Sequence, residues 1–461
     1  MLEQNLIKKI LNILLSSGGD FSEVYIQKRN INNMRLDDGK IENSSSGFEL
    51  GCGLRLISKD STFYAYIDSI DKESLLNAAK ILSSAVDSSS KNKVLDLSEN
   101  KSLYDAKVEK YPSGITQENK KILLDNANEK ARDFSKYIIQ VSANLSDSDD
   151  TICIANSNGL FINDSSVKVF LAVNIIAKKG NEVRTGYKSL ARTMGYEIFD
   201  FKNPETVSLE AARIAVKMLD AVNAPAGSFP VVIGPAFGGV IFHEACGHGL
   251  EADAIIKDSS VFKDKLNKKI ASRNLTAVDD PTLPYHWGSY AFDSEGFPSQ
   301  KNILIENGIL KNYMFDYKSA CKMKMRQTGN GRRQSYRDLP VPRMSNTYLE
   351  CGSDENEAIM ESVKNGIYAK EFAGGQVDTA TGDFVFGISE GYLIKNGVIS
   401  EPIKGATLIG NGPDILNRIE AIGKDLDFAP GFCGKAGQSI TNEVGQPTIL
   451  VDKITVGGTE V

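Results

Sequence analysis

The segment His243-Glu244-Ala245-Cys246-Gly247-His248 carries two of the three histidines in a chain of 461 residues, with a carboxylate beside the first. Those residue types suit a zinc hydrolase, in which two imidazoles hold the metal and a Glu handles the water it activates. The spacing departs from the common motif, whose histidines stand at i and i+4. On a regular helix each residue turns by about 100°, so i and i+4 lie about 40° apart and can share one ion. Positions i and i+5 lie about 140° apart and cannot. If His243 and His248 bind one zinc, the helix between them must be overwound or bulged. A π-bulge adds the required residue to a turn, and Gly247 makes such a distortion cheap. Two nearby histidines with a Glu also arise by chance. Against that, histidine is otherwise almost absent, and the preceding run from Val231 to Phe242 is strongly apolar. The motif therefore sits in a low-dielectric, helix-borne setting.

A catalytic zinc needs a third protein ligand and an open position. Cys246, Glu251, Asp253, His286 and Cys433 are the candidates. Cys246 also suits the core as a small apolar residue, Glu251 and Asp253 suit a solvated helix end, and His286 suits a loop. Cys433 lies between glycines with Lys435 close by, a setting that favours a thiolate. Spacing does not choose among them. In the segment 329–337, Arg332 or Arg333 could bind a substrate carboxylate; a solvated turn explains them equally well.

Composition sets the frame for this chemistry. A chain with 41% hydrophobic and 24% charged residues is an ordinary globular one. Its formal net charge of −6 disfavours direct binding to nucleic acid or to an anionic membrane surface. No apolar run approaches the length of a membrane span. Lys8-Lys9 and the apolar residues after them loosely mimic a signal peptide, but Asn12 breaks the run. Leu2, Leu6, Ile10, Ile13 and Leu14 fit an amphipathic helix instead. The six cysteines are scattered and form no CxxC, which points to a reducing compartment and a cytoplasmic location.

The elements that must position the motif read as an α+β fold. Residues 1–110 form a first α/β unit: a helix to about residue 16, strands over 21–27, 47–58 and 61–67, and a helix over 72–88. Residues 88–114 read as a linker. Residues 111–222 form a second α/β unit, with a helix over 116–135, an antiparallel meander from 138 to 193, and a helix over 208–222. Residues 223–461 form a mainly antiparallel β domain carrying one catalytic helix, entered through a short buried strand over 229–233.

Several segments in order carry a family resemblance. They are His243-Glu244-Ala245-Cys246-Gly247-His248-Gly249-Leu250-Glu251-Ala252-Asp253, Gly329-Asn330-Gly331-Arg332-Arg333-Gln334-Ser335 and Pro342-Arg343-Met344-Ser345-Asn346-Thr347-Tyr348. Pro402-Ile403-Lys404-Gly405-Ala406-Thr407-Leu408-Ile409-Gly410, Cys433-Gly434-Lys435-Ala436-Gly437-Gln438 and Val456-Gly457-Gly458-Thr459 complete the set. The chain resembles the TldD/PmbA family, historically named as modulators of gyrase, and within it the TldD-type metallopeptidases. The resemblance implies an HExxxH motif, so the odd spacing becomes a signature. It implies that His243, His248 and Cys433 bind Zn2+ and that Glu244 is the catalytic base. It implies peptide substrates, including modified or unfolded precursors, and a homodimer or a heterodimer with an inactive PmbA-type paralogue. Cys246 replaces the more usual aliphatic residue and removes no ligand. An extended peptide is expected to pair with a sheet edge in the last domain. The rival readings are a non-catalytic binding or assembly subunit, a thiol hydrolase using Cys246 or Cys433, and a nucleic-acid modulator, which the acidic balance disfavours.

Overall fold

Alternation of buried and solvated side chains makes the N-terminal half a sheet. Along Leu160–Lys179, Val167, Val169, Leu171, Val173, Ile175 and Ala177 are buried at every second position. The structure is a computed structural model and describes residues 2–86, 92–100 and 106–458. Seven strands build the first sheet: β1 (Phe21–Asp37), β2 (Lys40–Ser58), β3 (Ser61–Ile67), β4 (Ser98–Glu99), β5 (Ile138–Asn156), β6 (Leu160–Lys179) and β7 (Glu182–Arg192). Their order is β3-β2-β1-β5-β6-β4, with β7 also on β6.

The two N-terminal units therefore share one sheet: β1 runs antiparallel to β5 from Glu23↔Asn156 to Asp37↔Ser142. The β1–β2 hairpin is also longer than the expected strands over 21–27 and 47–58. Its distal half is rich in Asn and Ser, so no apolar alternation announces it, yet the ladder continues to the turn at Asp38 and Gly39, both with positive φ. Helices Gln4–Leu14 and Lys72–Ser84 pack on β1 and β2 through Ile7, Leu11, Leu54 and Leu75. Helices Gln117–Phe134 and Pro204–Lys217 pack on β5 and β6 through Leu124, Val141, Val173 and Ala211. Thr116 and Asn203 cap them by accepting from the Asn119 and Thr206 amides. The expected linker over 88–114 and the end of the helix expected over 72–88 fall partly outside the described residues, as does Thr459 of the last signature.

The C-terminal half contains β8 (Val222–Asn223), β9 (Gly227–Ile233), β10 (Ala277–Asp279), β11 (Asn302–Glu306), β12 (Ile309–Leu310), β13 (Gly331–Arg332), β14 (Val341–Pro342) and β15 (Asn346–Leu349). It continues with β16 (Asn365–Val377), β17 (Asp383–Lys395), β18 (Val398–Lys404), β19 (Thr407–Asn411), β20 (Ile419–Ile422), β21 (Asp427–Lys435), β22 (Gln438–Gln446) and β23 (Ile449–Gly457). One sheet has the order β12-β11-β10-β15-β22-β21, and a larger one β16-β9-β23-β19-β17-β18-β8, with β20 on β23. Most pairings are antiparallel, as expected; β9–β16, β15–β22 and β8–β18 are parallel. The helical run after β9 lies in the core shared by both sheets, where Phe242, Ala245 and Cys246 join Leu304, Phe386, Val444 and Val451. Among the described residues, no helix is long and apolar enough to cross a membrane.

Buried charge ties the two halves together. Arg55 on β2 pairs with Glu23 on β1 at 2.6 Å and with Glu295 of the C-terminal half at 2.7 Å, and Arg333 closes the cluster on Glu23. Burial pushes Glu295 up to about 8; Arg55 opposes this, but Asp316 and Asp293 add to it. Burial likewise pushes Asp293 up to about 7. Both carboxyls thus hold protons in the folded chain at pH values where the unfolded chain has lost them. Stability is therefore highest below about pH 4 for this pair and falls as pH rises to about 8. The difference in denaturant midpoint between wild type and Glu295→Gln should shift against the wild type as pH rises across that range; a difference that does not change with pH contradicts the assignment.

Candidate metal centre

The chain enters the site through a continuous helical run with changing pitch. A 3-10 turn over Ala236–Gly239 and an α turn over Val240–Phe242 lead into a π-helical turn over His243–Gly247. The His248 amide donates to the His243 carbonyl, the i+5 bond that defines such a turn. This is the distortion the spacing demanded. It brings the imidazoles to one side, with ring centroids 5.0 Å apart and planes at 84°.

The third arm comes from the edge strand β21. Cys433 Sγ lies 3.4 Å from His243 Nε2 and 3.3 Å from His248 Nε2. Their ligand atoms all fall within 4.8 Å of one another. A tetrahedral zinc, with bonds of roughly 2.0 Å to nitrogen and 2.3 Å to sulfur, requires N···S edges of about 3.5 Å. The donor set fits that size and type. Burial pushes the Cys433 thiol up, but the His243 and His248 rings beside it outweigh burial and bring it down to about 4. The sulfur is therefore a thiolate, the form that ligates.

The other ring nitrogens are held from behind. His248 Nδ1 lies 2.9 Å from Glu251 Oε2, which also accepts from Lys435 Nζ at 2.9 Å. Burial would raise the Glu251 carboxyl, yet His248 and Lys435 hold it down at about 2. Asn442 Nδ2 stands 3.3 Å from His243 Nδ1, while its buried Oδ1 has no partner among the described residues. Turned over, that amide accepts from Nδ1–H and leaves Nε2 bare for a metal. Arg343 is fully buried and donates to the Cys433 carbonyl. Glu244, a quarter exposed, sets Oε2 3.8 Å from His248 Nε2. It faces a cavity of about 540 Å³ with Gln376, Val377 and Lys435 on other walls.

The remaining candidates separate cleanly. Cys246 is fully buried in the apolar core, and burial pushes its thiol far up, so it is neither ligand nor nucleophile. Glu251 supports a ligand. Asp253 binds Lys435 Nζ at 2.6 Å, and His286 Nδ1 lies 2.6 Å from Glu443 Oε2. Arg333 is a correction: Glu23, Tyr64 and the Ser294 carbonyl take its guanidinium, so it offers no fork to a substrate carboxylate. Arg332 donates to the Met344 and Thr441 carbonyls at 2.5 and 2.8 Å. Asn442 escaped the sequence reading because no motif marks it; strand alternation from Cys433's partner Ile440 would have placed it on the same face.

Close backbone approach holds the π turn in place. A Cβ on Gly412 would come within 2.3 Å of the Ala245 carbonyl oxygen. Gly412→Ala should therefore destabilise the protein by about 1–3 kcal/mol. An unchanged denaturant midpoint would show that this approach does not constrain the turn.

Family models match three consecutive parts of the chain: the PmbA/TldA metallopeptidase domain 1 over residues 22–86, the central domain over 110–219 and the C-terminal domain over 226–458. A "Metalloprotease TldD homolog" from Buchnera aphidicola is 38% identical over 451 residues, covering 95% of this chain and 93% of the relative. A "Zinc metalloprotease TldD homolog" from Saccharolobus solfataricus is 35% identical over 289 residues, covering 62% and 64% of the two chains. The crystal structure of TldE from Thermococcus kodakarensis superimposes with a TM-score of 0.80 at 20% identity, covering 99% of each chain, a likeness of fold. With its full sequence of domains matched and its His-His-Cys group assembled, the chain belongs to the TldD/PmbA family of metallopeptidases.

Proposed function

We propose that the chain is a zinc-dependent peptidase acting on peptides, including unfolded or modified precursors. The observation that carries this reading is the convergence of His243, His248 and Cys433 within 4.8 Å, with Glu244 beside them at the mouth of a cavity. Two imidazoles and a thiolate are borderline-soft donors suited to zinc, and three protein ligands leave a position open. The printed name of the Saccharolobus solfataricus relative supports the same metal.

Bound there, zinc would supply Lewis acidity at the scissile carbonyl and lower the pKa of water. Glu244 takes a proton from the attacking water at its carboxylate and returns it to the leaving amine. Its partial exposure at the cavity lets it reach both. Glu251 and Asn442 fix the ring orientations, and Arg343 fixes the strand that presents the thiolate. The substrate chain enters from the side walled by Gln376 and Val377 at the end of β16. We also place the protein in the cytoplasm, working as a homodimer or beside a PmbA-type paralogue; the intact donor set speaks against a purely assembly role.

Glu244→Gln should lose peptide cleavage by a factor of about 10² or more while keeping its zinc. Full activity in that variant removes Glu244 from the chemistry. Cys433→Ser should lose stoichiometric zinc, read by elemental analysis after dialysis, and unchanged affinity would exclude the thiolate. Glu251→Gln should weaken zinc binding about tenfold or more in a chelator competition.

A further inference from the structure

A second group of charges lies on the opposite face of the β21–β22 hairpin. Neighbouring residues of a strand point to opposite faces. Cys433 and Asn442 face the histidines, while Phe432 and its cross-strand partner Thr441 face away, toward the N-terminal sheet. Between them and β6 lies a cavity of about 330 Å³, with Lys168, Arg332, Trp287 and Phe432 among its walls. An adjoining cavity of about 270 Å³ shares Lys168 and Arg332.

The charges around these cavities are mixed: Asp147, Asp149, Asp150 and Asp164 line them beside Arg29, Lys168, Arg332 and Arg333. Arg29 is matched by Asp150 at 2.6 Å and Arg333 by Glu23. Lys168 and Arg332 have no carboxylate partner within ion-pair distance among the described residues. Both reach Thr441 instead: Lys168 Nζ donates to Oγ1 at 2.5 Å and Arg332 Nη2 to the carbonyl at 2.8 Å. Arg332 stacks on Tyr290 at 5.0 Å, and Lys168 lies over Trp287 at 5.6 Å. Asp279 is nearby, but Ser345, Asn330 and Thr347 take its oxygens. Two cations converging at one residue beside a cavity, with no carboxylate within ion-pair distance, leave a place for an anion to complete them.

We propose that this cavity, on the face of the hairpin opposite the metal group, is a carboxylate-binding site which takes the free C-terminal carboxylate of a peptide through Lys168 and Arg332. Trp287 and Phe432, the latter more than half exposed, give an apolar seat for the terminal side chain. The cavity's size admits a terminal residue or two rather than a long segment. Naming a peptide as the source of the carboxylate rests on the peptidase reading; the anion site itself does not. Burial, with the Arg332 and Arg29 charges, pushes the Lys168 ammonium down to about 7 against the pull of Asp150, so a bound carboxylate should draw a proton onto it near neutrality.

The test is calorimetry on the zinc-loaded Glu244→Gln protein with a short peptide as the free acid and as its C-terminal amide. Acetate and inorganic phosphate serve as further probes. The free acid should bind about tenfold or more tightly than the amide. Its binding enthalpy near pH 7 should vary with buffer in the sense of proton uptake. Lys168→Met, which keeps the apolar stem and leaves the buried arginine in place, should abolish both the preference and the uptake. Equal binding of acid and amide, or a preference that survives Lys168→Met, overturns the site. Phosphate binding as tightly as the free acid and displacing it overturns the peptide assignment. Peptide cleavage by the wild-type protein, measured in parallel, reports on the peptidase reading separately from these binding results.

Discussion

The contact of the Cys433 thiolate with two imidazoles sets the terms for the C-terminal half of this molecule. The sulfur must approach rings on a helix 185 and 190 residues earlier to within 3.4 Å. An edge strand can do so only if the helix presents both rings to one side and the backbones lie unusually close. The π turn meets the first requirement. Glycines meet the second: a Cβ on Gly239 would lie 2.7 Å from the Gly445 carbonyl oxygen, and one on Gly412 2.3 Å from that of Ala245. Arg343 and Asn442 then hold the hairpin and a ring from opposite sides. Each device costs stability when taken alone, which is the usual condition of a functional site.

The buried ion pairs between the halves have a different role. Taking the charged Glu23, Arg55 and Arg333 out of water is expensive, and their mutual attraction does little more than offset that cost, while Glu295 meets Arg55 as a protonated carboxyl near neutral pH. What they add is register. Glu23 and Arg55 sit on neighbouring strands of the first sheet, and Glu295 and Arg333 can meet them in only one arrangement of the halves. That arrangement also fixes where β6 faces the back of the metal-bearing hairpin, so the placement of Lys168 against Thr441 depends on it.

Much of the fold was legible as periodicity. The alternation in β6 and the apolar faces of the helices announced themselves, and the Asn-Gly turns at 307–308 and 396–397 both take the positive φ values their residues favour. The distal β1–β2 hairpin was not legible, because its stability lies in backbone pairing beneath polar side chains. Arg333 was misread for a related reason: a charged residue in a glycine-rich segment looks solvated until its buried partner, Glu23, arrives from the other end of the chain. Glu251 was noticed as a possible ligand, but its role behind His248 follows from distance alone.

The sequence by itself determined the chemistry available at the motif and the distortion it needed. Residue types set donor softness, and helical geometry makes i and i+5 incompatible with one ion on a regular turn. From the resemblance it also implied Cys433 as the third ligand. Only the tertiary structure decided which of five candidates joins both rings in one donor group, which residues orient them, and which cations lack an ion-pair partner among the described residues. Those properties depend on through-space distances between strands and turns far apart in the chain. Side-chain type and local spacing carry no information about such distances until the sheets have paired.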